Sequence, residues 1–250
     1  MAEVLCDVRG EICYITLNRP EKRNALSSSL LKELYKTLVD LDRSVKVVVL
    51  RGAGKDFCSG HDLNEVLASP IEVERHFELC SRVMHAIRSI PQVVIAQVQG
   101  YAVAGGCQLV AVSDLAIAEE NAKFGLPGIK LGLFCYTPAV FVSRCIGVKR
   151  AFELAFTGET IDAKTALEWG LVNRVVPMDK LEDATQDLAE KIARFSLDVI
   201  ERSKRFFYQQ IELSTFDALS LGVKEIALNA SLDVAKEGIS KFLKKTSKSL

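Results

Sequence analysis

The chain opens on alternating apolar and polar residues. MAEVLCDVRGEICYITLN reads as strands, the clearest over 11–17, and VKVVVL at 45–50 adds another. These runs are short, β-branched and bounded by turn residues. Between them the period changes. Leu30, Leu31, Leu34, Leu38 and Leu41 recur at helical spacing, which predicts a helix over 27–42 with Ser27 or Ser28 as its N-cap. A Gly-, Ser- and Asp-containing loop follows at 52–63. Helical spacing resumes over 71–90 and stops at Pro91. A buried strand at 93–98, a short helix at 105–112 and strands at 114–118 and 171–176 come next. After Pro177 the pattern is helical, with apolar stripes over 181–195, 218–229 and 232–243. The pattern predicts an α/β chain in which a ββα-like unit repeats loosely, without the clean alternation of a TIM barrel.

The length of 250 residues suits one substantial domain with a smaller appendage. The expected division is a core over 1–195 and a helical region over 196–250. Lys+Arg and Asp+Glu both number 32, so no net field points to nucleic acid or an anionic membrane. The seven cysteines are odd in number and form no CxxC pair. They predict buried, reduced thiols and no metal-ligand set. The N-terminal stretch lacks the basic start and apolar core of a signal peptide, and no run is long enough to span a bilayer. A cytoplasmic protein is expected. The basic tail KFLKKTSKSL reads as a solvated helix end.

Candidate chemistry concentrates in GYAVAGGCQLVAVSDLAIAEENAKFGLPGIKLGL, residues 100–133. Ala104-Gly105-Gly106 precedes a helix-like segment and follows a strand. Phe57-Cys58-Ser59-Gly60-His61-Asp62-Leu63 follows another strand. If the two loops converge, one backbone N–H from each could hold a carbonyl oxygen as charge develops on it. GxGxxG and the Walker pattern are both absent, which leaves a nucleotide reading without support.

Several landmarks recur in order along the chain. They are Leu17-Asn18-Arg19-Pro20 with Lys22-Arg23-Asn24-Ala25-Leu26, Phe57 to Leu63, Gly100-Tyr101-Ala102 through Asp114, Phe124-Gly125-Leu126-Pro127, Leu131-Gly132, and Phe156-Thr157-Gly158 to Asn173. With them the chain resembles the crotonase (enoyl-CoA hydratase/isomerase) family over essentially its whole length. The resemblance implies a crotonase-like spiral of ββα units with a helical C-terminal oligomerisation region, assembled as a homotrimer or dimer of trimers. It implies an acyl-CoA thioester as ligand, with coenzyme A arriving as part of it and no permanently bound cofactor. Matched by position, the backbone donors are His61 and Gly105. Arg23, Ala25 and Leu26 fall where the family lines CoA phosphates and adenine. Ser59, Asp62 and Leu63 lie beside adenine and pantetheine, and Lys245 points to a neighbouring subunit's CoA phosphate.

The chain departs from the family at two places. Hydratases there use two glutamates to activate a water, and the matched positions are Gln108 and Gly128. Gln has no usable proton and Gly has no side chain. Tyr136 is either an acid or an aromatic wall of the acyl pocket. Cys135 reads as an inert wall residue, and His61 as a titratable group that could instead only shape the pocket. Glu65, Glu119 and Glu120 are expected outside the pocket. The expected function is acyl-CoA binding with thioester polarisation and little ordinary hydration. The alternatives are another crotonase-type reaction or a catalytically silent acyl-CoA binder.

Overall fold

A computed structural model describes residues 2–246, with side chains through 244. Contacts divide the chain into a unit ending at Ala193 and a second unit beginning at Arg194.

In the first unit, β1 (Val4–Arg9) pairs antiparallel with β2 (Ile12–Leu17). Parallel strands follow: β3 (Val47–Gly52), β4 (Val93–Val98), β6 (Leu115–Glu119) and β9 (Arg174–Val176), giving the order β1-β2-β3-β4-β6-β9. A smaller sheet holds β5 (Tyr101–Val103), β7 (Lys123–Gly125) and β8 (Thr160–Asp162). Single-residue bridges, Leu26 to His61 and Cys58 to Ala102, carry the small-sheet pairing across the earlier loops. Each turn of the chain thus runs from the large sheet through the small one into a helix.

Strands β2, β3 and β4 are largely apolar runs because both of their faces are covered. Cys13, Ile15, Leu17, Val48 and Leu50 pack on the main core. Ile12, Tyr14, Val47, Val49 and Ile95 face the other way, against Ala189 and Ala193 of α8 (Leu181–Ala193). Helix α1 (Ser28–Val39) is capped by the Ser27 hydroxyl, which accepts from the Leu30 N–H, and it buries Leu30, Leu31, Leu34 and Leu38. Each of those side chains contributes about 1.5–3 kcal/mol by leaving water. The short α2 (Leu63–Val66) leads into α3 (Pro70–Ser89), which starts with a capping box at Ser69 and Glu72. The eight-residue α4 (Gly105–Val112) is buried along its whole length.

Three expectations need correction. The strand expected over 171–176 is only Arg174–Val176. Gly170 ends α7 (Ala163–Trp169) in a left-handed conformation, and the Leu171 N–H turns back to Ala166. Helices α5 (Tyr136–Ile146) and α6 (Val148–Thr157) add to the expected elements, separated by Gly147 at φ 85°. The thiols are all free, but Cys6 and Cys145 are exposed and the other five are buried.

The second unit contains α9 (Leu197–Gln210), α10 (Thr215–Ala230) and α11 (Asp233–Thr246). The first of these is an additional helix beyond the expected stripes. Many large apolar side chains there face solvent in the single chain, including Phe207, Phe216, Leu219 and Ile226. Among the described residues no helix is long and apolar enough to cross a membrane.

Candidate active site

Two tight backbones make the floor of the site. Arg23 and Asn24 both adopt positive φ, 52° and 56°. This turns the wholly buried Asn24 amide toward the loop after β3, where it donates to the carbonyls of Ala53, Asp56 and Phe57. Arg23 ties the same loop down through Asp56 at 2.7 Å and lies 4.7 Å above the Tyr101 ring. Burial pushes the Asp56 carboxyl up, but Arg23 and the Tyr101 N–H outweigh it and hold it below the usual carboxylate range.

The second loop abuts the first. A Cβ at Gly106 would stand 2.1 Å from the Cys58 carbonyl oxygen, so only glycine fits there. A Cβ at Gly60, where φ is 99°, would stand 2.8 Å from the Ala104 Cβ and 3.3 Å from the Gly105 nitrogen. Ala104 itself has φ 50° and ψ −117°, a conformation that costs an alanine about 1–3 kcal/mol. Gly105 follows as the first residue of α4, where a backbone N–H has no acceptor within the helix. Neither the Gly105 nor the His61 backbone N–H donates to a backbone or side-chain acceptor among the described residues.

These loops border a mostly apolar cavity of about 840 Å³. Arg23, Ala25, Ser59, His61, Asp62, Leu63, Gly128 and Tyr136 reach its wall, and Lys22 and Cys135 join them. Leu26, Gly105 and Gln108 do not. Leu26 is fully buried behind the wall, and Gly105 lies under Ala104, which does reach it. The Lys245 side chain falls outside the described residues.

Gln108 is buried in α4, and its side-chain oxygen accepts from the Thr137 hydroxyl at 3.3 Å. Thr137, not Gln108, faces the cavity. Gly128 is at the wall, but the space beside it is taken: a Cβ there would stand 2.9 Å from the Cys135 sulfur. That sulfur also accepts from the Gly128 N–H. Burial pushes the Cys135 thiol up, more than this contact lowers it, so it is a protonated wall group rather than a nucleophile. Tyr136 stands at the first position of α5 with 74 % of its surface exposed, its ring edge-on to Phe134.

Asp62 is the carboxylate that reaches the cavity wall, but it is engaged. It caps α2 through the Asn64 N–H and takes an ion pair from Arg19 at 3.1 Å. Burial raises its carboxyl, and Asn64 and Arg19 bring it below the usual range. Glu65, Glu119 and Glu120 stay off the cavity wall. Glu119 instead accepts from the Gly100 and Asn121 N–H groups and braces the turn after β4.

One group of residues was not legible in the sequence. The His61 Nδ1 lies 2.8 Å from the His76 Nε2, and the His76 Nδ1 lies 3.0 Å from a Glu65 oxygen. Ser28, at the start of α1, donates to Glu65 through both its backbone N–H and its hydroxyl. Phe77 covers the His61 ring at 4.4 Å between centroids. Burial, reinforced by His76, lowers the His61 pKa to about 3. The available signal was His76 itself, a polar residue on the buried stripe of α3 with Cys80, Val83 and Met84.

Comparison with known proteins agrees with this architecture. The family model described as enoyl-CoA hydratase/isomerase matches residues 7–249. Enoyl-CoA hydratase domain-containing protein 3, mitochondrial, from human is 42% identical over 236 residues, covering 92% of this chain and 78% of the relative. Its rat counterpart is 40% identical over 238 residues, with the same coverage of each. Among solved structures, an enoyl-CoA hydratase from Mycobacterium smegmatis superimposes with a TM-score of 0.96 at 42% identity, covering 98% of this chain and 97% of that one. The human domain-containing protein 3 superimposes at 0.95 with 38% identity, covering 97% of this chain and 98% of that one.

Proposed function

The chain belongs to the enoyl-CoA hydratase/isomerase family and has its crotonase fold, and on that premise we propose that it binds an acyl-CoA and polarises the thioester through a backbone oxyanion hole. The donors are the N–H groups of His61 and Gly105. The observation that carries this reading is the close approach of the two loops, whose His61 and Gly105 N–H groups have no acceptor among the described residues, beside a large apolar cavity. Two such donors stabilise an enolate oxygen more than a neutral carbonyl, and removing one typically costs about 10²–10³ in rate.

Arg23, Ala25, Ser59, Asp62 and Leu63 border the CoA end of the cavity in this reading, with Leu26 behind them. Lys22 and Arg23 supply positive charge for phosphates there. The acyl chain runs toward Gly128, Cys135 and Tyr136. The water-activating pair of a hydratase is missing, since Gln108 is hydrogen-bonded behind the wall and Gly128 has no side chain. Ordinary hydration is therefore weak or absent, and the retained chemistry is proton transfer beside a polarised thioester.

The assembly we propose is a trimer or a dimer of trimers built through the helical region over 196–250, where exposed apolar residues support an interface. The free thiols are compatible with a reducing cytoplasm, whereas the names of the human and rat relatives place those proteins in mitochondria.

The test combines two measurements. Butyryl-CoA and crotonyl-CoA should each raise the melting temperature, because binding the folded state stabilises it. Crotonyl-CoA hydration should stay at least about 10²-fold below that of an ordinary hydratase, the least expected from losing one positioned acid–base group. No thermal shift with any acyl-CoA, or hydration at an ordinary hydratase rate, overturns the proposal.

A further inference from the structure

We propose that His61 is the catalytic base of this site, taking a proton from the α-carbon of a bound CoA thioester, with His76, Glu65 and Ser28 as the relay that orients it. This rests on the reading above, that the cavity holds a thioester with its carbonyl beside the His61 and Gly105 N–H groups.

The direction of the relay follows from its outer end. The Glu65 carboxylate accepts from the Ser28 N–H at 2.9 and 3.0 Å, and from the Ser28 hydroxyl. The Ser28 hydroxyl gives its proton to that carboxylate, so its oxygen can only accept from the His76 Nδ1–H at 2.9 Å, which also stands 3.0 Å from Glu65. The His76 Nε2 is then an acceptor, and the His61 Nδ1–H at 2.8 Å fills it. The proton on His61 is therefore on Nδ1, and Nε2 carries a lone pair.

That Nε2 is shielded from solvent and has no partner. Leaving such a buried group unsatisfied costs about 1–3 kcal/mol, and a ligand that completes its bonding removes the cost. It also lies close to Gly105, since a Cβ there would stand only 3.1 Å from it. A base placed there lies beside the carbon next to the carbonyl. At the other end, Ser28, Glu65 and His76 border a separate cleft of about 650 Å³ that also carries Lys32, Arg75 and Arg82. The relay thus joins the acyl cavity to an outer cleft.

The step balances without a co-reactant. The Cα–H pair forms the Cα–C bond of an enolate, and the carbonyl π pair moves to the oxygen held by the two N–H groups. The proton sits on the His61 Nε2, and the Nδ1–H of the resulting imidazolium stays hydrogen-bonded to His76. Returning a proton to Cα gives exchange with solvent. Returning it to the γ-carbon of an unsaturated chain moves the double bond. His61 is the catalytic residue, and His76 and Glu65 are positioning residues.

The experiment follows deuterium incorporation at Cα of butyryl-CoA in heavy water by mass spectrometry, with binding of the same ligand measured by calorimetry. The wild-type protein should exchange the Cα hydrogens. His61→Gln keeps the backbone N–H and should lose at least about 10²-fold in exchange with its Kd changed less than about threefold. Glu65→Gln should lower kcat for exchange about tenfold with KM unchanged, and Glu65→Asp should recover part of that loss; a merely structural role would not separate the two constants. Binding without exchange in the wild type, or His61→Gln exchanging at the wild-type rate, overturns this proposal alone. Absence of binding overturns it together with the reading it rests on.

Discussion

A side chain at position 128 should be excluded by one sulfur atom. The Gly128 backbone is not in the left-handed region, so conformation is not the obstacle. An added Cβ would meet the Cys135 sulfur at 2.9 Å and the Leu133 carbonyl oxygen at 3.3 Å. Cys135 is buried at the start of α5, so its thiol has little room to rotate away. Overpacking of this kind costs about 1–3 kcal/mol, or roughly 2–4 °C of melting temperature per kcal/mol for a chain of this size. Gly128→Glu should therefore be destabilised, and Cys135→Ala should relieve much of the loss. A double-mutant cycle by urea denaturation should give a coupling energy of at least about 1 kcal/mol, well above the roughly 0.3–0.5 kcal/mol seen for independent sites. The double variant should still lack ordinary crotonyl-CoA hydration, because position 108 lies behind the cavity wall and supplies no second carboxylate. A coupling within the independent range would refute the steric argument. Hydration by Gly128→Glu alone, at wild-type stability, would also refute it.

His61 should impose an acid limb on stability. Its folded pKa of about 3 lies below the ordinary 6.5, so the unfolded chain binds more protons between those values. Stability is complete above pH 6.5 and falls toward pH 3 at up to about 1.4 kcal/mol per pH unit, or about 2 kcal/mol by pH 5. His61→Gln should flatten that part of the profile in urea titrations, and parallel curves would refute the assignment. Gly106→Ala would press its Cβ to 2.1 Å from the Cys58 carbonyl, so it should lose more than about 3 kcal/mol or fail to fold; a melting temperature within a few degrees of wild type would contradict the loop packing. Tyr136→Phe should change acyl-CoA turnover less than about twofold, because the phenol is exposed at the rim; a loss of 10²-fold or more, the signature of a general acid, would make it the acid after all.

The parts of the fold that could be read from sequence are those set by local rules. β2, β3 and β4 are largely apolar runs covered on both faces, and α1 and α3 carry their caps in the sequence. α5 and α6 were hidden because several of their apolar residues, such as Val140, Phe152 and Phe156, are exposed in the single chain and do not form a core stripe. Within the site, Gly106 is required by the Cys58 backbone and Gly60 by its positive φ, whereas a Cβ at Gly105 would meet only the side chains of Leu26 and His61. Gln108 was placed by resemblance at the reacting centre, but the complete burial of α4 turns it to Thr137 behind the cavity wall. The Ser28–Glu65–His76–His61 relay had no local signature. Its members come from the start of α1, from α2, from α3 and from the loop after β3, and only tertiary packing makes them neighbours.

The central claim is that two backbone N–H groups polarise a thioester carbonyl. The most direct measurement is the infrared stretch of butyryl-CoA labelled with heavy carbon at the thioester carbonyl, recorded free and bound as an isotope difference spectrum. Two donors at His61 and Gly105 should weaken the C=O bond and shift the bound band to lower frequency, and the shift should survive His61→Gln, which keeps the backbone donor. A bound ligand whose carbonyl band stays at the frequency of free butyryl-CoA would contradict the account.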